Sequence, residues 1–121
     1  MKVLEIYQCV QGEGIRMGEQ SILVRFFGCN AHCAWCDTAY SINPQLHKEL
    51  NGPPIQDMTV PQVLENLSRF PLYPVILSGG EPTLQSELPE LLEGLQSFVT
   101  IETNGTRLLL ADRDPALTLW S

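Results

Sequence analysis

The sequence is poor in basic residues and has no long hydrophobic run. Seven Lys and Arg stand against fourteen Asp and Glu, a formal net charge of −7 over 121 residues. Such scattered cations form no stripe that could neutralise phosphates, so we expect no nucleic-acid partner. No apolar run approaches the roughly 18 residues of a membrane helix. Residues 1–11 also lack the basic and apolar regions of a signal peptide, so we expect a cytoplasmic protein without a membrane partner.

The order of the predicted elements indicates an α/β fold. Strand-like segments cover residues 21–27, 74–77, 98–101 and 117–120. Between them lie a capped helical pattern from Thr59, a leucine repeat over residues 88–95 and a short helix over 108–110. This alternation predicts a parallel sheet of successive β-α units. Residues 3–10 alternate weakly before a turn, and residues 28–57 are predicted to form a long loop.

Chemistry-bearing residues follow three of the predicted strands. They are Gly28-Cys29, Ser78 to Glu81, and Glu102 to Asn104. Function in parallel α/β folds sits at the carboxyl ends of the strands, so we expect these segments to meet at one rim. Glu81 and Glu102 there would either orient a cofactor or cap the strand ends.

Three of the four cysteines lie within eight residues. Cys29, Cys33 and Cys36 have the spacing Cys-x3-Cys-x2-Cys. Thiolates are soft ligands that select zinc, copper or iron–sulfur clusters. A closed zinc site would need a fourth ligand such as His32 or His47, and neither belongs to a paired motif, so both are expected to be solvated loop residues. The spacing favours an iron–sulfur cluster with one open iron, and the alternatives are zinc or a chance group of buried thiols. Cys9, the fourth cysteine, is expected to be structural.

The segment from Cys29 to Cys36 resembles the signature of radical S-adenosylmethionine (SAM) enzymes. That resemblance implies a partial (β/α)6 barrel, a 4Fe–4S cluster on the three cysteines and SAM on the open iron. Further matching segments occur in order: Gln11 to Gly14, Val24-Arg25, Gly28 to Asn30, Cys36 to Thr38, Gly79 to Pro82, and Glu102 to Thr106. Together they resemble the 7-carboxy-7-deazaguanine synthase family.

The resemblance also implies a role for each matched position. The cluster ligands would be Cys29, Cys33 and Cys36, and the Mg²⁺ ligand would be Thr38. The SAM contacts would be Trp35, Cys36, Asp37 and Gly80. The substrate contacts would be Val10, Gln11, Gly12, Arg25 and Ser78. Structural alternatives stay open: loop packing for Trp35, a loop cap for Thr38, a paired arginine for Arg25, and plain turns for Gly80 and residues 10–12.

The implied activity is a radical lyase reaction. It converts 6-carboxy-5,6,7,8-tetrahydropterin to 7-carboxy-7-deazaguanine with loss of ammonia. The resemblance also implies an electron donor such as flavodoxin or ferredoxin, and it is compatible with a homodimeric protein. The alternatives are an activase of glycyl-radical enzymes and a non-catalytic iron–sulfur or zinc module. Because the family's chains are longer, we expect residues 1–121 to be a single radical SAM core domain, incomplete at its C-terminus and inactive alone.

Overall fold

A computed structural model of the chain describes residues 1–30, 36 and 38–106, and the backbone of residues 118–120. These residues form a six-stranded sheet of order β3-β1-β2-β4-β5-β6. The strands are β1 (Lys2–Val10), β2 (Gln20–Phe26), β3 (Gln56–Asp57), β4 (Val75–Gly79), β5 (Val99–Ile101) and β6 (Thr118–Trp120). The helices are α1 (Pro44–Glu49), α2 (Val60–Ser68) and α3 (Leu88–Gly94), with 3-10 turns at Ala39–Ser41 and Pro82–Leu84.

Four strands pair in parallel, which confirms the predicted α/β class. β2 pairs with β4, β4 with β5, and β5 with β6. The strand predicted at residues 117–120 is observed as β6, and the helix predicted at 108–110 lies outside the described residues. No helix in the described part of the chain is long and apolar enough to cross a membrane.

The N-terminal part of the sheet is antiparallel, which the sequence did not predict. β1 runs antiparallel to β2 and carries β3 on its outer side. Antiparallel strands need only a short connection, and residues 11–19 provide it without a crossover helix. The register shifts between Val3 and Glu5, so that Val3 lies opposite Phe26 and Glu5 opposite Arg25.

The long loop predicted for residues 28–57 contains regular structure, so that prediction was wrong in part. It includes α1 and β3. Asn43 begins α1 by accepting a hydrogen bond from the Leu46 amide at 2.9 Å, which is the usual role of an N-cap asparagine. His47 lies in α1 rather than in a solvated loop. Its Nε2 is 2.6 Å from the Pro53 carbonyl, and its ring packs edge-on against Phe27.

The core lies between the sheet and helices α2 and α3. The predicted capping box at Thr59 is confirmed: the Thr59 amide donates to Gln62 at 2.8 Å and the Gln62 amide donates to the Thr59 hydroxyl at 3.3 Å. Fully buried side chains come from alternate strand positions and from one stripe each of α2 and α3. They include Val24, Phe26, Val63, Leu77, Leu88, Leu91, Leu92, Val99 and Ile101.

The α3 stripe predicts a test of this core. Leu91 is fully buried, so Leu91→Ala should lower the free energy of unfolding by about 2–5 kcal/mol, because it removes apolar contacts and leaves a cavity. Urea unfolding followed by circular dichroism measures the change. Leu72 is 82% exposed, and Leu72→Ala should change stability by less than about 0.5 kcal/mol. Equal effects of the two changes would contradict the placement of α3.

Candidate active site at the carboxyl edge of the sheet

Three strand-end segments meet at one edge of the sheet, as the sequence predicted. The Gly28 amide, after β2, donates to the Ser41 carbonyl at 2.7 Å. The Glu81 amide, after β4, donates to the Gly28 carbonyl at 2.8 Å. The Glu102 amide, after β5, donates to the Leu77 carbonyl at 3.0 Å. The segment that begins the cysteine motif is therefore hydrogen-bonded to the end of the neighbouring strand.

Two glycines allow this close approach. A Cβ on Gly80 would overlap the Gly28 carbonyl, and one on Gly79 would overlap the backbone of Phe26. Gly79 also has a φ of +122°, a conformation that side chains disfavour. The space beside Gly80 is thus filled by the chain's own backbone. This packing is a reason for glycine at position 80 that holds whether or not a cofactor also approaches it.

Glu81 binds the strand-end backbone, which answers a choice that the sequence left open. The residue is 1% exposed. Its Oε1 accepts hydrogen bonds from the Thr83 and Thr103 hydroxyls, each at 2.6 Å. Its Oε2 accepts one from the Asn104 amide at 2.7 Å. A buried carboxylate is tolerated when its oxygens are hydrogen-bonded, and here those bonds join the end of β4 to the segment after β5.

Cys29 and Cys36 are the predicted cluster ligands that the structure describes. Cys29 is held by its amide, which donates to the Ile42 carbonyl at 3.1 Å, and the Asn104 amide nitrogen lies 3.9 Å from its Sγ. Cys29 and Cys36 are both half-buried. Cys33, Trp35 and Asp37 lie outside the described residues. The donor set fits an iron–sulfur cluster, because thiolates are its protein ligands and an N–H group directed at Cys29 suits a thiolate.

Thr38, the predicted Mg²⁺ position, begins the 3-10 turn that supports Gly28. Its side chain does not cap that turn. The Ser41 hydroxyl lies 2.7 Å from the Thr38 carbonyl and 3.3 Å from Oγ1. A threonine oxygen has two lone pairs, so Oγ1 can accept from Ser41 and still bind a cation.

Arg25 lies on the sheet face opposite the core, in an ion pair. Its Nε is 2.8 Å from the Glu5 carboxylate, and its Nη2 donates to the Tyr7 hydroxyl at 3.2 Å. Tyr40 also donates to Glu5, at 3.3 Å. Burial alone would lower the pKa of Arg25, but the hydrogen bonds to Tyr7 and Glu5 together with the electrostatic effects of Tyr40 and Tyr7 outweigh it, and the pKa lies above its ordinary value. The paired arginine that the sequence left open as an alternative is thus observed, but its partners were not predicted; the alternation of Glu5 and Tyr7 along β1 could have indicated two of them.

Ser78 lies beside Arg25 in the β2–β4 register. Its hydroxyl donates to Glu102 at 2.6 Å. The Cys9 thiol is affected by charged groups on the face of the sheet that carries Arg25. Burial raises its pKa, and the negative charge of Glu102 adds to that rise while Arg25 opposes it. The structural role expected for Cys9 stays a prediction.

The register places the other predicted substrate contacts elsewhere along β2. Val10 pairs with Gln20, at the start of β2, whereas Cys29 follows its end. Val10 and Gly12 are exposed, and Gln11 is buried with its backbone bonded to Glu19 and Gly18. The ladder thus brings Arg25 and Ser78 together and leaves residues 10–12 at its opposite end. Their contact with substrate stays a prediction.

The sequence pattern of the radical SAM superfamily matches residues 23–117, and the chain belongs to that superfamily. It is 36% identical over 115 residues to the 7-carboxy-7-deazaguanine synthase of Haemophilus influenzae, covering 93% of this chain and 49% of that protein. It is 36% identical over 110 residues to the 7-carboxy-7-deazaguanine synthase of Bacteroides thetaiotaomicron, and the match covers 89% of this chain and 54% of that protein. The chain thus spans about half the length of these relatives.

A solved structure is also similar to the chain. The crystal structure of QueE from Escherichia coli superposes with a TM-score of 0.75 at 28% identity, covering 98% of this chain and 58% of that one. This similarity supports the sheet arrangement described above.

The glycine contact at this edge leads to a second prediction. Gly80→Ala should lower the free energy of unfolding by about 1–3 kcal/mol, because the new methyl group displaces the Gly28 backbone. Urea unfolding measures this change in the free energy of unfolding. Gly12→Ala is the control, since a Cβ there meets nothing within 4 Å. If Gly80→Ala were as stable as Gly12→Ala, the close contact between the two segments would be wrong.

Proposed function

We propose that the protein converts 6-carboxy-5,6,7,8-tetrahydropterin to 7-carboxy-7-deazaguanine and ammonia, with residues 1–121 belonging to one radical SAM core domain. The observation that carries this proposal is the meeting of the Cys29 segment with the Glu81 and Asn104 segments at one edge of the sheet. The similarity over most of the chain to proteins named 7-carboxy-7-deazaguanine synthase supports this substrate in particular.

Membership of the superfamily implies a 4Fe–4S cluster and SAM. In our proposal Cys29, Cys33 and Cys36 hold the cluster. Trp35, Cys36, Asp37 and Gly80 contact SAM, and a flavodoxin or ferredoxin donates the electron. The bound cofactors supply the radical chemistry, and the protein supplies binding, orientation and exclusion of water. Assembly as a homodimer stays a prediction.

The sheet face opposite the core, which carries Glu5, Arg25, Ser78 and Glu102 and is called the polar face, can bind and orient an anionic substrate. A guanidinium carries five N–H donors, more than the bonds of Arg25 to Glu5 and Tyr7 use. The ion pair with Glu5 holds the Arg25 guanidinium in place, so that little side-chain entropy is lost when the guanidinium binds the substrate carboxylate. Ser78 donates its hydrogen to Glu102, so its oxygen serves as an acceptor for a pterin N–H group.

Two further sites complete the proposal. Val10, Gln11 and Gly12 contact the substrate from the β1–β2 connection, and Thr38 binds Mg²⁺ through Oγ1. Hydroxyl and carboxylate oxygens are the ligands that Mg²⁺ prefers, so a substrate carboxylate can share the ion with Thr38. Gln11 is preorganised for its role, because its backbone is bonded across the connection to Glu19 at 2.9 Å and to Gly18 at 2.8 Å.

The reaction can be tested directly with the protein as its gene encodes it. After anaerobic reconstitution, it should show the visible absorption of thiolate-ligated iron and form 7-carboxy-7-deazaguanine and ammonia from the carboxypterin. Cys29→Ala, Cys33→Ala and Cys36→Ala should each abolish the absorption and the product. Cys9→Ala should keep the absorption, since Cys9 is not a proposed ligand.

The alternatives predict different results from the same measurements. Zinc without sulfide would support a metal-binding module, and glycyl-radical formation on a partner protein without product would support an activase. Loss of the cluster in Cys9→Ala would contradict the ligand assignment.

The magnesium site leads to a separate prediction. Removal of Mg²⁺ with a chelator should decrease turnover of the carboxypterin, and added Mg²⁺ should restore it. Thr38→Ala should raise the Mg²⁺ concentration needed for half-maximal turnover, because it removes the hydroxyl ligand, whereas Thr38→Ser should retain the wild-type response. Turnover that does not depend on Mg²⁺ in the wild-type protein would show that Thr38 has another role.

A further inference from the structure

The side-chain amide of Asn104 lies between two acceptors on the cysteine segment. Its Nδ2 is 2.9 Å from the Asn30 Oδ1 and 3.9 Å from the Cys29 Sγ. An amide nitrogen carries two hydrogens, so one can be donated to each acceptor. The oxygen of Asn30 directs the first hydrogen, which leaves the second for the sulfur. Asn104 belongs to the segment after β5, so this contact crosses from one strand end to another.

Asn104 is fixed from three directions, so the orientation of its amide is determined. Its backbone N–H donates to the buried Glu81 carboxylate at 2.7 Å. Its Oδ1 accepts hydrogen bonds from the Thr106 amide at 3.0 Å and from the Thr106 hydroxyl at 2.7 Å. The Thr106 hydroxyl in turn accepts a hydrogen bond from Asn30 at 2.8 Å. Because Oδ1 is occupied in this way, the amide cannot flip without breaking these bonds, and Nδ2 points to the sulfur.

An N–H group directed at a thiolate ligand changes the energetics of a cluster bound there. Reduction adds negative charge, part of which resides on the cysteine sulfurs. A hydrogen bond to such a sulfur stabilises the reduced form more than the oxidised form, so it raises the reduction potential. The bond to Cys29 is long, but its donor is held in place by the rest of the network and pays no cost of reorientation when the charge arrives.

We propose that Asn104 is a positioning residue for electron transfer: its N–H···S bond to Cys29 raises the reduction potential of the cluster, and Glu81 acts through Asn104 by holding it there. The proposal rests on the cluster assignment made above. It assigns to Glu81 a role in setting the potential rather than in binding a ligand, since its carboxylate oxygens are occupied by Thr83, Thr103 and Asn104.

The test is the midpoint potential of the cluster in the reconstituted protein, measured without substrate by an electron-paramagnetic-resonance titration. Asn104→Leu is similar in size and lacks the N–H donors, so its midpoint should be more negative than that of the wild type at equal iron and sulfide content. Asn104→Ala should shift it in the same direction. Thr106→Val is the matched control. It removes the hydroxyl bonds to Asn104 and Asn30 but keeps the Asn104 N–H donors and the backbone bond to Oδ1, so its midpoint should shift less than that of Asn104→Leu.

Each outcome separates this proposal from the proposed function. A wild-type protein that binds no cluster would contradict the cluster assignment itself. A cluster that forms in the Asn104 variants with an unchanged midpoint would overturn only the role of Asn104. An equal shift in Thr106→Val would show that loosening of the segment, rather than the N–H···S bond, sets the potential. Loss of the cluster from both Asn104 variants would also overturn the proposal, because a tuning residue is not needed for assembly.

Discussion

The packing of the Gly28 backbone against Gly80 is the contact on which the rest of the site depends. It fixes the start of the cysteine segment to the end of β4, and the Glu81 amide completes the contact by donating to the Gly28 carbonyl. Glu81 then connects this pair to Thr103 and Asn104 through its carboxylate. A side chain at position 80 would separate the segments and interrupt this sequence of bonds at its first step. The ends of three strands are thus held together by backbone groups and one buried carboxylate.

The two faces of the sheet have different physical roles. The face covered by α2 and α3 is apolar and fully buried, and it supplies the stability of the fold. The opposite face carries Glu5, Arg25, Ser78 and Glu102, each hydrogen-bonded to another residue of that face. Alternation along the strands produces this separation, because successive side chains point to opposite sides. The polar groups are therefore oriented by their neighbours before a ligand binds.

Local patterns were sufficient to predict much of the fold. The capping box at Thr59, the leucine repeat of α3 and the β-rich segment of β2 predicted their elements correctly, since each pattern reflects local hydrogen bonding or burial. The antiparallel pairing of β1 was not predicted, because weak alternation over residues 3–10 does not show which neighbour a strand finds. α1 was missed because its six residues, two of them Pro44 and His47, carry no apolar stripe.

The site shows the same division between local and long-range information. The rim formed by Cys29, Ser78 and Glu102 followed from the rule for parallel sheets. The role of Glu81 required tertiary contacts, because any buried carboxylate can orient a ligand or cap a backbone. The partners of Arg25 also required the register of β1 against β2, which the shift between Val3 and Glu5 determines.

That irregularity in β1 has a consequence for how the protein can change in length. Leu4 is the extra residue between the Val3–Phe26 and Glu5–Arg25 pairs, so a chain that lacks it would keep both pairs in a regular ladder. Insertion of a further residue there would instead enlarge the bulge or shift the register by one, and such a shift turns Glu5 towards the core for one part of the strand. The register of these first five residues is therefore more tolerant of a one-residue deletion than of an insertion.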